Sequence, residues 1–102
     1  MLVERLTFQA KYGQGDTLVS LFKAEMKRFR DMGGGPARIY TDATGRMFTV
    51  QVEQEFKDLS DYAAFSAKAR DFYGTDDFRG WFAKMTDAVE TGERQLLAAE
   101  SV

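Results

Sequence analysis

The sequence predicts an α+β domain in which one four-stranded antiparallel sheet carries helices on a single face. Three observations lead there. Residues alternate with a period of two over 2–10, 37–42 and 46–56, as half-buried strands do. Between and after these segments, apolar residues return every three or four positions, the spacing of helices packed on one side. The strands also alternate apolar with polar, which suits a sheet covered on one face only.

In the first strand, Leu2, Leu6, Phe8 and Ala10 share one side, and Val3, Arg5, Thr7 and Gln9 the other. Glu4 alone interrupts the apolar side. KYGQG then turns the chain, and Asp16 is placed to cap the next helix by accepting a backbone N–H from its first turn. Leu18, Leu21, Phe22, Met26 and Phe29 form the apolar stripe of that helix, with Lys23, Lys27 and Arg30 opposite. GGGP ends it, because glycine accepts left-handed geometry and Pro36 cannot continue the hydrogen-bond ladder.

ARIYTD, ATG and RMFTVQVEQEF read as a hairpin, with Phe48, Val50 and Val52 on one face and Met47, Thr49, Gln51 and Glu53 on the other. Asp58 caps a second helix whose side carries Tyr62, Phe65, Ala69, Phe72 and Tyr73, and Gly74 closes it. Thr75 caps a third, shorter helix. ETGE breaks the pattern, and RQLLAAES supplies the last strand. The order β-α-β-β-α-α-β is the split-βαβ, ferredoxin-like layout with one extra short helix. Its second sheet face carries Thr7, Gln9, Arg38, Tyr40, Thr49 and Gln51, types that suit partial burial under a partner sheet. A solvated face on a monomer is the alternative.

At 102 residues, 44% of them hydrophobic, the chain fits one domain over 1–102 and has no room for a second. Its formal charge of −2 offers no general attraction for phosphate backbones or anionic membranes, so neither nucleic acid nor membrane is an expected partner. The opening MLVERLTFQA carries charge where a signal peptide needs an apolar run, and a cytoplasmic location is expected. The chain contains no cysteine and no histidine. Ser-His-Asp and Cys-His catalysis, a proximal haem histidine and the usual zinc ligand sets are therefore excluded, and no metal or cofactor is expected. Carboxylates, tyrosines, lysines, arginines and hydroxyls remain to do any chemistry.

Most local motifs reduce to structure. YGQGD lies between strand and helix, as a phosphate-cradling loop would, but Leu18 stands where the third glycine of such a motif belongs and Asp16 would repel an anion. Glu53 and Glu55, about 7 Å apart on one strand face, lack the further oxygen ligands a hard cation needs. Lys23, Lys27, Arg28 and Arg30 suit a solvated helix face near its negative end. DFYGTDDFRGWFAKM is the densest group: Phe78, Trp81, Phe82, Met85 and Val89 make one helical stripe, and Asp76 and Asp77 sit at the helix start. Gly80 costs about 1 kcal/mol inside a helix, which predicts that a backbone, ring or ligand approaches it. Tyr73 and Trp81, each an apolar body with a polar tip, are the preferred pocket-lining candidates. Tyr62 offers a second phenol, and Arg79 a charge able to orient a substrate.

The start VERLTFQAKYG resembles the first strand of NIPSNAP-like proteins through Glu4, Arg5, Thr7, Phe8, Lys11 and Gly13. The similarity continues through Gly45 before the central strand, Asp58-Leu59 at a helix start, the aromatic helix around Trp81, and Gly92-Glu93-Arg94 leading into the closing strand. Tyr12, where proline is frequent, and the triple glycine depart from the pattern. The resemblance implies a dimeric α/β barrel, in which two ferredoxin-like subunits pack sheet to sheet with helices outside. It implies little about chemistry, because that superfamily extends to cofactor-independent monooxygenases and haem-degrading enzymes.

Three readings follow. The first is a homodimer paired through the sheet face, holding a small apolar molecule between sheet and helices. The second is a cofactor-independent monooxygenase or isomerase acting on an aromatic substrate, with Tyr73 and Trp81 shaping the pocket and Arg79 orienting. The third is an interaction module that assembles through its strand edges.

Overall fold

Strand β1 (Leu2–Ala10) occupies an interior position of the sheet, so its alternation fixes what faces the helices. The computed structural model describes residues 1–101. In it β1 pairs antiparallel with β3 (Thr49–Phe56) on one side and β4 (Val89–Ala98) on the other, and β2 (Ala37–Thr41) pairs antiparallel with β3. The resulting order is β2-β3-β1-β4. With α1 (Gly15–Asp31), α2 (Leu59–Tyr73) and α3 (Asp76–Ala88), this is the ferredoxin-like α+β fold with one additional helix.

The register sorts the residues into two faces. Leu6 lies opposite Val52 and Phe8 opposite Val50, and these side chains meet the helices. The opposite face carries Val3, Arg5, Thr7 and Gln9 beside Glu55, Glu53, Gln51 and Thr49, extended by Arg38 and Tyr40 of β2. Overall extents of 40 × 37 × 19 Å leave depth for one sheet and one helix layer, so the second face has no cover among the described residues.

Under the helices, Phe8, Ala10, Leu18, Phe22, Val50 and Val52 form the main core. Phe56, Phe65 and Ala69 form a second cluster below α2, and Phe29 packs against both. Burying each such ring or branched side chain stabilises the fold by about 1.5–3 kcal/mol. At the end of α1, Gly33 takes φ +94°, which a side chain would resist. Gly35 passes so close to β3 that a Cβ would fall on the Glu55 carbonyl oxygen.

Four local expectations are corrected. The first helix begins one residue before Asp16: Leu18 N–H donates to the Gln14 carbonyl at 3.1 Å, and no side chain caps the end. Asp16 sits in the first turn, where it still faces the positive end of the dipole. Met47 and Phe48 belong to the hairpin turn, since Phe48 adopts φ +60° and packs edge-on to Tyr12 at 4.9 Å. ETGE lies inside β4, because pairing of Thr91, Gly92 and Glu93 with Gln9, Phe8 and Thr7 outweighs the poor intrinsic strand propensity of Gly92 and the two glutamates. No backbone or ring approaches Gly80: among the described residues, a Cβ there would have no neighbour within 4 Å.

The caps at Asp58 and Thr75 form as their spacing predicts. The Asp58 side chain accepts from Asp61 N at 2.9 Å, and the Thr75 hydroxyl from Phe78 N at 3.2 Å. They matter because the short Gly74-Thr75 link sets how α3 leaves α2 and leans on α1.

Candidate functional site

Helix α3 reaches the sheet only in part. Trp81 inserts its ring edge-on against Phe22 at 5.3 Å, and its Nε1–H donates to the Leu21 carbonyl at 2.8 Å. Arg28 of α1 lies 4.4 Å from the Phe72 ring centre and 3.6 Å from Asp77. These contacts pin α3 to α1 along one edge and leave an open cleft between α3 and β1.

The cleft has a volume of about 390 Å³ and is lined by Leu6, Phe8, Phe22, Phe29, Tyr73, Phe78, Trp81, Phe82 and Met85. Its size falls within the usual range for small-molecule sites, roughly 300–1,000 Å³. Aromatic rings make up most of the wall: Phe8 stacks on Phe22 at 5.3 Å, Phe78 on Phe82 at 5.4 Å, and Tyr73 tilts against Phe78 at 4.6 Å. Around it the apolar surface continues into solvent, with Tyr73 50% exposed and Phe82 49%. Such a lining excludes ionic ligands lacking an apolar body, since desolvating a bare charge against these rings has no return.

Polar groups gather near Tyr73. Glu4 projects from the helix-covered side of β1 and accepts the Tyr62 hydroxyl proton at 2.6 Å. Burial first, then this bond and the Glu4 charge, push the Tyr62 phenol above its ordinary range, while Arg94 pulls it back. Tyr73 is likewise raised by burial and by Glu4, and lowered by Arg94. Both phenols are thus neutral donors at physiological pH.

Of the residues singled out in the sequence, Tyr73 and Trp81 line the cleft, whereas Tyr62 lies outside the lining, bonded to Glu4, the neighbour of Leu6 on the same face of β1. Arg79 lies outside that lining, paired with Asp76 at 3.3 Å. The cation near the tyrosines is Arg94 instead, carried there by the β4 register opposite Leu6. Glu4 had a signal in the sequence, as the one charge on an apolar strand face; Arg94 had none, because its strand was not phased. Among the described residues, no cluster of three or more acidic side chains could hold a metal ion, and no helix is long and apolar enough to cross a membrane.

Fold and cleft together define a ferredoxin-like α+β protein with an aromatic cavity between sheet and helices. No protein-family model matches the chain, and no curated protein matches it. Solved structures do match. An uncharacterised NIPSNAP domain protein from Burkholderia xenovorans is 18% identical, with a TM-score of 0.78 over 99% of this chain and 96% of that one. A NIPSNAP family protein of unknown function from Agrobacterium tumefaciens is 17% identical, with a TM-score of 0.78 over 95% and 86%. A candidate antibiotic biosynthesis monooxygenase from Nitrosomonas europaea is 15% identical, with a TM-score of 0.70 over 97% and 98%. At these identities the likeness establishes a shared fold, and the NIPSNAP resemblance read in the sequence returns at that level.

Proposed function

We propose that this protein is a homodimer, paired through its outer sheet faces, that binds one small, flat, largely apolar molecule per subunit in the cleft beneath α3. The observation that carries the reading is the aromatic cleft itself, an open gap between helices and sheet that leaves Tyr73 and Phe82 half in water. Open apolar surface of this kind is normally assigned to a ligand or partner. Support for pairing comes from the second sheet face. Arg5 and Glu53 form an ion pair at 2.6 Å amid Thr7, Gln51 and Tyr40, so the face mixes both charges with uncharged bulky groups and can complement its own copy about a two-fold axis.

Two measurements test this. Light scattering at micromolar concentration should return twice the single-chain 11.6 kDa; a monomer mass rejects the pairing. Trp81 fluorescence should respond to aromatic ligands, and an unchanged spectrum across a broad panel rejects the cleft as a binding site.

A second reading, a cofactor-independent oxygenase or isomerase working on an aromatic substrate, is favoured by one observation: the Tyr62 phenol and the Glu4 carboxylate meet beside the lining residue Leu6, with Arg94 paired opposite Leu6 on β4. Under it, aerobic incubation with oxidisable phenols consumes oxygen, and Tyr73→Phe slows the consumption.

A further inference from the structure

The apolar lining of the cleft ends on β1 at Leu6, and the next side chain on that face of the strand is Glu4, just outside the lining. Leu2, Leu6, Phe8 and Ala10 share the helix-covered face of β1, and Glu4 stands among them. Its Oε2 is occupied by the Tyr62 hydroxyl at 2.6 Å, which fixes the carboxylate in one orientation. Among the described residues nothing donates to the other oxygen, Oε1. Arg94 is the diagonal neighbour of Glu4, since the register sets Leu96 opposite Glu4 and Arg94 opposite Leu6. Among the described residues it makes no ion pair, and it lies exposed on an edge strand.

We propose that Glu4, held by Tyr62, is the specificity-determining acceptor of this cleft and selects neutral hydroxylated aromatic ligands over aromatic acids of the same shape. The inference rests on the reading of the cleft as a ligand site. A ligand hydroxyl can donate to Oε1, and hydrogen bonds to a charged acceptor are roughly twice as strong as neutral ones. A ligand carboxylate in the same place faces Glu4 instead and offers it no proton. Arg94 would favour the acid, but solvent screens an exposed guanidinium, whereas Glu4 is partly buried and fixed by a short bond. Glu4 therefore decides between the two. Tyr73 lines the cleft and feels both charges.

Three probes with one ring system separate the possibilities at neutral pH: 2-naphthol, 2-methoxynaphthalene and 2-naphthoate. Trp81 is the only tryptophan, so its indole N–H gives a single side-chain resonance in the nitrogen-labelled protein, and that group is bonded to the Leu21 carbonyl at the cleft wall. The expected order is naphthol about tenfold tighter than the methoxy compound, with naphthoate weakest. Glu4→Gln, which is isosteric, should bring naphthol to within about twofold of the methoxy compound and strengthen naphthoate. Tyr62→Phe keeps the carboxylate but frees it, and should cut the naphthol preference severalfold.

If no probe shifts the resonance, the ligand-site reading falls and takes this inference with it. Equal affinities for all three in the unaltered protein leave the cleft as a site and overturn the role of Glu4. Tightest binding of naphthoate assigns the preference to Arg94 and overturns it as well. So does a Glu4→Gln variant that weakens all three probes alike, since that is the mark of a merely structural carboxylate.

Discussion

Replacing Trp81 with phenylalanine tests how α3 is held over the sheet. The substitution removes the 2.8 Å bond from Nε1–H to the Leu21 carbonyl and shortens the ring that meets Phe22 at 5.3 Å. Leu21 lies inside α1, so its carbonyl keeps its helical donor and is not orphaned. The lost bond then costs about 1 kcal/mol, the net value of an ordinary hydrogen bond. The two missing ring carbons, from a side chain that is mostly buried, cost roughly a further 1 kcal/mol. A total of about 2 kcal/mol should lower the melting temperature by about 10 °C for a domain of this size. Urea titration followed by far-UV circular dichroism measures the change without the lost tryptophan signal. A loss below about 0.5 kcal/mol would refute the reasoning, because neither the bond nor the ring contact would then be fixing α3.

Two glycines should respond in opposite directions. Gly80→Ala adds a methyl where nothing lies within 4 Å and should stabilise by about 1 kcal/mol, whereas Gly35→Ala drives a Cβ into the Glu55 carbonyl and should cost about 3 kcal/mol by urea titration. At alkaline pH, Tyr62 and Tyr73 share one signature. Their folded-state values lie above the ordinary 10.0, so the stability they contribute is complete below pH 10 and is lost as pH rises through the raised values. Replacing both with phenylalanine should flatten the fall in stability above pH 10, as measured by urea midpoints across that range; an unchanged fall would place the cause elsewhere.

Much of the fold was legible because its signals are local. The period-two faces of β1 and β3, the stripes of α1 and α3, and the caps at Asp58 and Thr75 each depend on residues a few positions apart. Strand β4 was legible only in its second half. Glu90, Gly92 and Glu93 are poor strand formers that interrupt Val89 and Thr91, and β1 draws the segment into the sheet by supplying the partners for its backbone groups. Phe48 was misread for a similar reason: alternation assigned it to the strand, while its contact with Tyr12 and its left-handed backbone place it in the turn.

The aromatic segment around Trp81 shows where local reading stops. Periodicity by itself determined that Phe78, Trp81, Phe82 and Met85 share one helix face, and composition by itself removed histidine and cysteine chemistry. Whether that face closes a core or walls a cleft depends on the angle at which α3 leaves Gly74 and leans on α1, set by the Trp81–Leu21 bond and the Arg28–Asp77 contact. Those partners lie dozens of residues apart, and no short-range pattern encodes such an angle. The same holds for the polar groups near Tyr73. Glu4 was an anomaly on its strand from the start, but only tertiary packing brings Tyr62 to one of its oxygens and Arg94 to its side, because a carboxylate acquires a role from what folding places around it.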